Sequence, residues 1–285
     1  MTYSSATGTL FVVATPIGNL DDMVPRAIET LQSVNVIAAE DTRHSGRLLA
    51  RFAIETPSLA YHDHSDDRRL EDLLGRLQTG ENVALISDAG TPLVSDPGYR
   101  LVRAARERGF TVVPIPGPCA LVAALSASGL ASDRFSFEGF LPAKSGARRH
   151  ALDALAREPR TLIFYEAPHR VLECLRDMQQ VFGSQREAVL ARELTKTFET
   201  IHSAPLAELT EFVAGDSNQQ RGEIVLLVQG APKNAGSELD SEAERIMGVL
   251  LEELPLKQAA SLGAKLTGLK KNFLYQWALD KTQGH

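Results

Sequence analysis

Basic charge, cysteine and long apolar runs are all scarce in this chain. Lysine and arginine number 30 against 36 aspartates and glutamates, a formal net charge of −6 over 285 residues. That balance excludes a protein coated in positive charge for indiscriminate nucleic-acid binding, although an acidic body can still carry a local basic groove. The two cysteines, Cys119 and Cys174, cannot build a disulfide framework or a four-thiolate zinc site, and are expected to be buried thiols in a reducing compartment. No stretch approaches the ~18 consecutive apolar residues that span a bilayer. Residues 1–8 are polar and lack the basic start of a signal peptide, so a cytoplasmic location is expected by elimination. Three nucleotide and nucleophile signatures are also missing. No G-x-G-x-x-G follows a strand, no G-x-x-x-x-G-K-[ST] occurs, and there is no G-x-S-x-G elbow.

What is present is an alternation of short apolar runs with helical patterns. Residues 9–14, 34–40, 82–88 and 111–116 predict strands. Between them lie helices near 23–34, after Asp66-Asp67, and from Ser95-Asp96-Pro97. The first is expected to be capped by Asp21 or Asp22, and the last by Asp96 with Pro97 in the first turn. Pro118 opens a helix that Gly129 closes. Beyond residue 130 the rhythm loosens. Strands are expected at 135–141, 161–166, 186–194, 198–203 and 223–229, with helices near 147–157, 168–183 and 205–214. The pattern predicts an α/β domain over 1–119 and an α+β domain over 120–232. Residues 231–240 read as a linker, and 238–285 as a small helical tail. The end of the tail carries Lys257, Lys265, Lys270, Lys271 and Lys281 against Asp280 alone. It is either an RNA or dimer contact or a solvated helical face.

Four loops rich in small residues and proline follow strand ends. They are Thr15-Pro16-Ile17-Gly18-Asn19, Ser87-Asp88-Ala89-Gly90-Thr91-Pro92, Pro116-Gly117-Pro118-Cys119-Ala120 and Tyr165-Glu166-Ala167-Pro168. Ligands of open α/β sheets bind outside the carboxyl ends of the strands, and small residues there let the backbone approach closely. Without a phosphate cradle, such loops suit a ligand lacking a polyphosphate, of which S-adenosylmethionine is one. The stretch Glu40-Asp41-Thr42-Arg43-His44 has two readings, a helix cap or a substrate contact. Glu193, Lys196 and Glu199 form another charged loop, either structural or functional. Lys144, Arg148, Arg149 and His150 make the densest positive segment without intervening acids, a solvated loop or a phosphate contact. His62-Asp63-His64 could hold a metal, but no further ligands are evident.

Eight stretches then occur in a telling order: VATPIGNLDD (13–22), AAEDTRHSGRLL (38–49), ALISDAGTPLVSDPG (84–98), PIPGPCALVAALSASGL (114–130), FEGFLPAKSGARR (137–149), TLIFYEAPHRV (161–171), ARELTKTFET (191–200) and GEIVLLVQG (222–230). In these the chain resembles the tetrapyrrole-methylase-like (class III) S-adenosylmethionine methyltransferases, and within them the branch acting on ribosomal RNA. The resemblance implies an α/β, two-domain tetrapyrrole-methylase-like fold with a small helical C-terminal appendage, S-adenosylmethionine in the cleft, and a homodimer. It implies 2′-O-methylation of a cytidine ribose in the decoding region of small-subunit (16S) ribosomal RNA, within an assembled 30S particle. Carried over by motif, the cofactor residues are Pro16, Asp88, Ala89, Gly90, Gly117, Pro118, Ala120, Tyr165, Glu166, Ala167 and Gly222. Tetrapyrrole relatives usually have Gly-Asp-Pro where this chain has Ser87-Asp88-Ala89-Gly90-Thr91-Pro92, which counts against a corrin-type substrate. A small-molecule methyltransferase and a non-enzymatic nucleic-acid-binding protein are the alternatives.

Methyl transfer to a ribose hydroxyl needs in-line positioning and either a base or a cation for the developing alkoxide. Among Glu40, Asp41, His44, Glu193 and Lys196, the catalytic candidates are Asp41, Lys196 and Glu193, with Asp41 and Lys196 placed first. RNA contacts are expected from Arg43, Lys144, Arg148, Arg149 and Arg170. No metal and no membrane are required.

Overall fold

The computed structural model describes residues 7–62, 67–232 and 241–283. Two compact units divide at Gly230/Ala231. The 119/120 division expected from the sequence falls inside the first unit, where one sheet gives way to the next.

The first sheet contains β1 (Thr9–Val13), β2 (Val36–Ala39), β3 (Ser58–Ala60), β4 (Val83–Ile86) and β5 (Thr111–Ile115), in the order β3-β2-β4-β1-β5. All its pairings are parallel. Parallel strands are covered on both faces, which is why β2 and β4 are buried at every residue. Helices α1 (Pro25–Ser33) and α2 (Thr42–Arg51) pack on one face through Ala27, Leu31 and Leu49. Helices α3 (Asp67–Gln78) and α4 (Tyr99–Glu107) cover the other through Leu73, Leu74, Leu77, Leu101 and Ala105. The connection leaving β1 therefore runs over one face and that leaving β4 over the opposite face. Their carboxyl ends lie side by side, and such a switch point opens a crevice.

The second sheet has β6 (Phe135–Phe140), β7 (Thr161–Glu166), β8 (Glu187–Arg192), β9 (Thr200–Pro205) and β10 (Ile224–Val228), in the order β6-β7-β10-β8-β9. Only β6 and β7 are parallel. Helix α5 (Ala120–Ser128) packs on one face through Leu121, Ala124 and Leu125. Helices α6 (Ser145–Leu155), α7 (Val171–Phe182) and α8 (Leu206–Gly215) pack on the other. Gly129 closes α5 at φ 74, as the sequence indicates.

Two expected caps are not made. Asp21 and Asp22 belong to a short 3-10 turn capped by Asn19, and α1 starts at Pro25 after Val24 with no side-chain cap. Helix α4 starts two residues later than expected. Gly98 is its N-cap at φ 125, and a Cβ there would come within 2.6 Å of Leu85. The chain turns sharply at this glycine, so Asp96 and Pro97 stay in the preceding loop.

The second unit is a three-helix cluster of α9 (Ser241–Glu253), α10 (Leu256–Thr267) and α11 (Lys271–Gln283). Its core is Ala243, Met247, Ala259, Ala260, Leu274 and Ala278. Most of the expected linker, 233–240, lies outside the described residues. Among the described residues no helix is long and apolar enough to cross a membrane.

Candidate active site

A cavity of about 380 Å³ lies where the two sheets of the first unit meet. That volume is within the usual range of small-molecule sites. The first sheet lines it with Ile17 after β1, Ala89, Gly90, Thr91, Val94 and Asp96 after β4, and Cys119 and Ala120 at α5. The second sheet supplies Phe140, Tyr165, Glu166, Ala167, Pro168, Ala191, Leu194 and the segment Gly222–Val225.

Backbone contacts knit these loops. Thr15 and Gly90 exchange both backbone hydrogen bonds, at 2.8 and 3.0 Å. The Thr91 hydroxyl donates to the Pro118 carbonyl at 2.9 Å. Gly117 runs so close to β1 that a Cβ would lie 2.9 Å from that of Ala14. The Tyr165 hydroxyl accepts from the Leu121 N–H at 3.2 Å, and burial pushes its phenol well above the ordinary range.

Seven of the residues carried over by motif reach the cavity wall: Ala89, Gly90, Ala120, Tyr165, Glu166, Ala167 and Gly222. Four do not. Pro16 is buried, Gly117 packs on Ala14, and Pro118 holds Thr91. Asp88 turns away to accept from the Asp41 N–H at 3.1 Å. Cys119, expected to be buried, is a half-buried part of the wall, whereas Cys174 is buried.

The wall holds three carboxylates and, among its described residues, no lysine, arginine or histidine. Two lie against cations outside the wall. Glu166 pairs with Arg170 at 2.8 Å, and Glu223 with Lys196 at 3.1 Å. Asp96 has no such partner. Burial, offset in part by a hydrogen bond to Ser87 but reinforced by Glu40 and Asp88, raises its pKa to about 6. It sits in a loop where Leu93 and Ser95 adopt left-handed φ of 73 and 63. Such conformations cost non-glycine residues of order 1–3 kcal/mol and cluster at functional sites.

The expected catalytic residues have other geometries. The Asp41 carboxylate caps α2, accepting from the Arg43 N–H at 2.8 Å and the His44 N–H at 3.4 Å. Those backbone bonds hold its pKa below the ordinary carboxylate value, and it is absent from the cavity wall. The helix-cap reading of this segment accounts for it. Lys196 lies 2.9 Å from Glu193 and 3.1 Å from Glu223. Burial lowers its pKa, but the two carboxylates outweigh that and raise it overall, so it stays an ammonium. Glu193 is likewise opposed by burial yet held low by the Glu223 N–H and Lys196. Two glycines make room for this pair. A Cβ on Gly18 would meet the Lys196 stem at 2.5 Å, and one on Gly222, at φ 78, would strike the Glu193 carboxylate. The Asn19 N–H also donates to the Thr195 hydroxyl at 3.1 Å, so the β1 and β8 loops close on each other.

The expected basic surface is thinner than the sequence suggests. Arg148 is fully buried and bonds Asp177 at 2.6 Å and the Ala143 carbonyl at 3.3 Å. A phosphate contact would require unpairing a buried ion, so its role is structural. Arg170 is tied to Glu166 and to the Leu141 carbonyl. Arg149 is half-buried and reaches Gln180, whereas Lys144 and Arg43 are exposed. His62 is exposed, and Asp63 and His64 lie outside the described residues. Among the described residues no cluster of three or more potential metal ligands forms.

The model of the Tetrapyrrole (Corrin/Porphyrin) Methylases matches residues 9–210, and that of the RsmI C-terminal HTH domain matches 237–282. The chain is 63% identical to the Ribosomal RNA small subunit methyltransferase I of Pseudomonas aeruginosa, over 96% of this chain and 98% of that protein. The chain belongs to the ribosomal RNA small subunit methyltransferase I family. The Escherichia coli O157:H7 member is 57% identical, over 96% of each chain. The fold of this family extends to solved structures of low identity. The methyltransferase CobJ superposes with a TM-score of 0.59 at 19% identity, covering 82% of this chain and 98% of that one. Uroporphyrin-III C-methyl transferase from Thermus thermophilus, solved with S-adenyl homocysteine, gives 0.54 at 19% identity, covering 78% and 97%.

Proposed function

We propose that the chain transfers the methyl group of S-adenosylmethionine to the 2′-hydroxyl of a cytidine in the decoding region of small-subunit (16S) ribosomal RNA. The observation that carries the donor half of this reading is the charge of the cavity. Its wall offers small and apolar residues, one half-buried carboxylate without a basic partner, and no cation. An anionic or polyphosphate ligand would meet repulsion there. A sulfonium with a neutral adenine suits the wall, because Asp96 then gains the counter-charge it lacks. The names of the relatives and the family models support the RNA as acceptor.

When bound, S-adenosylmethionine supplies an activated methyl group. The chain's own residues have three tasks. Ala89, Gly90, Ala120, Ala167 and Gly222 give close backbone approach to the donor. Asp96 holds positive charge on the donor. The ribose oxygen takes the methyl as the donor's carbon–sulfur bond breaks, and the hydroxyl proton passes to solvent water. Lys196, kept as an ammonium, stabilises the oxygen losing that proton or an adjacent phosphate, and does not act as a neutral base. Glu193 fixes Lys196 in place. RNA phosphates are met outside the cavity, by exposed cations such as Arg43 and Lys144. The assembled 30S particle as substrate, a homodimeric enzyme and a cytoplasmic location belong to the same proposal.

The test is methyl transfer from tritiated S-adenosylmethionine to small subunits from cells lacking the enzyme, followed by nucleoside mass spectrometry. Label in 2′-O-methylcytidine is expected. A protein that binds the donor but labels no RNA would contradict the proposal.

A further inference from the structure

Phe140 is 57% exposed although it forms part of the cavity wall. A single exposed apolar side chain is ordinary on a protein surface; what sets Phe140 apart is a backbone built to aim it at the cavity. Its orientation is built in. Strand β6 slips register against β7 between Phe137 and Gly139, and Gly139 takes φ 65. In a regular strand residues 137 and 140 point to opposite faces. The extra residue turns both to the same side, a known use of bulges beside active sites. Both rings then meet Tyr165 edge-on, at 4.8 Å for Phe137 and 5.8 Å for Phe140. Tyr165 is itself anchored by the Leu121 N–H. The Phe140 ring is thus held from behind and open in front. A Cβ on Gly139 would lie 3.6 Å from the Ser95 hydroxyl, so the bulge abuts the loop carrying Asp96. Four residues further on, Lys144 is an exposed cation at the N-terminus of α6.

We propose that Phe140 is the stacking platform for the base of the target nucleotide, holding its ribose at the cavity mouth. The inference rests on the RNA-methylation reading above. Bases splayed from single-stranded RNA are received on aromatic faces in this way, because every base has a π-face. An aromatic ring rigidly backed and open on one side meets that need without a hydrogen-bonding code. The charge arrangement agrees: the phosphate lies toward the exposed Lys144, away from the acidic cavity.

The experiment uses the full chain with undermethylated small subunits, comparing Phe140→Ala, Phe140→Leu and Phe140→Trp. For each, KM for the subunits, kcat and the Kd of S-adenosylmethionine are measured. The expected result is a fall in kcat/KM of about 10- to 100-fold for the alanine and leucine variants, the usual value of one base–aromatic stack. The donor Kd should stay within about twofold, and tryptophan should recover most of the loss. Wild-type rates in Phe140→Leu would overturn the platform, because an apolar residue would then suffice. A loss of donor binding in step with activity would also overturn it, making Phe140 part of the donor pocket. Absence of RNA label with the wild-type chain would remove the RNA reading itself, and the platform with it.

Discussion

The two flanks of the cavity treat charge in opposite ways. On the second-sheet side the carboxylates lie against cations: Glu166 against Arg170, Glu193 and Glu223 sharing Lys196, and Asp177 against Arg148. On the first-sheet side Asp96 has Ser87 as a hydrogen-bond partner and two further acids, Glu40 and Asp88, nearby. Both flanks are strained. Leu93 and Ser95 are left-handed on one, Glu193 and Thr195 on the other. The strain on the second flank is locked by its own ion pairs. On the first it holds a carboxylate with no cation beside it among the described residues. One flank is thus ion-paired within the free protein and the other is not, and on that contrast the proposed acceptor and donor sides rest.

The largest expected effect tests the ion-paired flank. Arg148→Met should leave Asp177 buried and unpaired and cost about 3–5 kcal/mol in urea unfolding. It should not change the salt dependence of RNA binding, whereas Lys144→Ala should lower that slope by about one phosphate contact. Next is Lys196→Met. It should reduce kcat by about 10²- to 10³-fold, with the donor Kd unchanged. A tightened or weakened donor Kd would move Lys196 to the donor side and erase the contrast.

Gly222→Ala should follow, costing about 1–2 kcal/mol from its left-handed backbone alone, with a further loss as Glu193 is displaced. Reduced kcat alongside a lowered melting temperature is the signature. The smallest effect is on the open flank. Asp96 titrates near 6 in the folded chain and near 3.8 unfolded. Below about pH 4 both states hold the proton. Between those values the unfolded chain releases it first, so stability falls as pH rises, and above about 6 the penalty is complete. Asp96→Asn should therefore be more stable at pH 8 by about 1–2 kcal/mol after solvent screening, and equal to wild type near pH 3.5. Activity traded for stability is the usual mark of a functional group.

Much of the first unit is legible in the sequence because parallel strands are unbroken apolar runs, as in residues 36–39 and 83–86. The strand-end loops were equally plain, being glycine and proline at the ends of those runs. What escaped depends on distant partners. Asp96 looks like a cap before Pro97, and the left-handed turn at Gly98, packed against Leu85, leaves it in the cavity wall. Arg148 looks like surface charge until α7 brings Asp177 to it from 29 positions away. The Glu193–Lys196 pair has helical spacing in the sequence, but Glu223 arrives from the turn just before β10. The one local signal passed over was Gly139, a glycine inside a strand pattern, which marks the bulge that aims Phe140.

The most direct test of the open flank is calorimetric binding of S-adenosylmethionine and S-adenosylhomocysteine from pH 5 to 8, to wild type and Asp96→Asn. The sulfonium of the first ligand is absent from the second. Wild type should favour the sulfonium ligand at pH 8 by about tenfold, the value of one ion pair or charged hydrogen bond of about 1.4 kcal/mol. That preference should fade as pH drops through about 6, where Asp96 takes up its proton, and should be missing at every pH in Asp96→Asn. A preference that ignores pH, or survives in Asp96→Asn, would contradict the assignment of Asp96 as the donor's counter-charge.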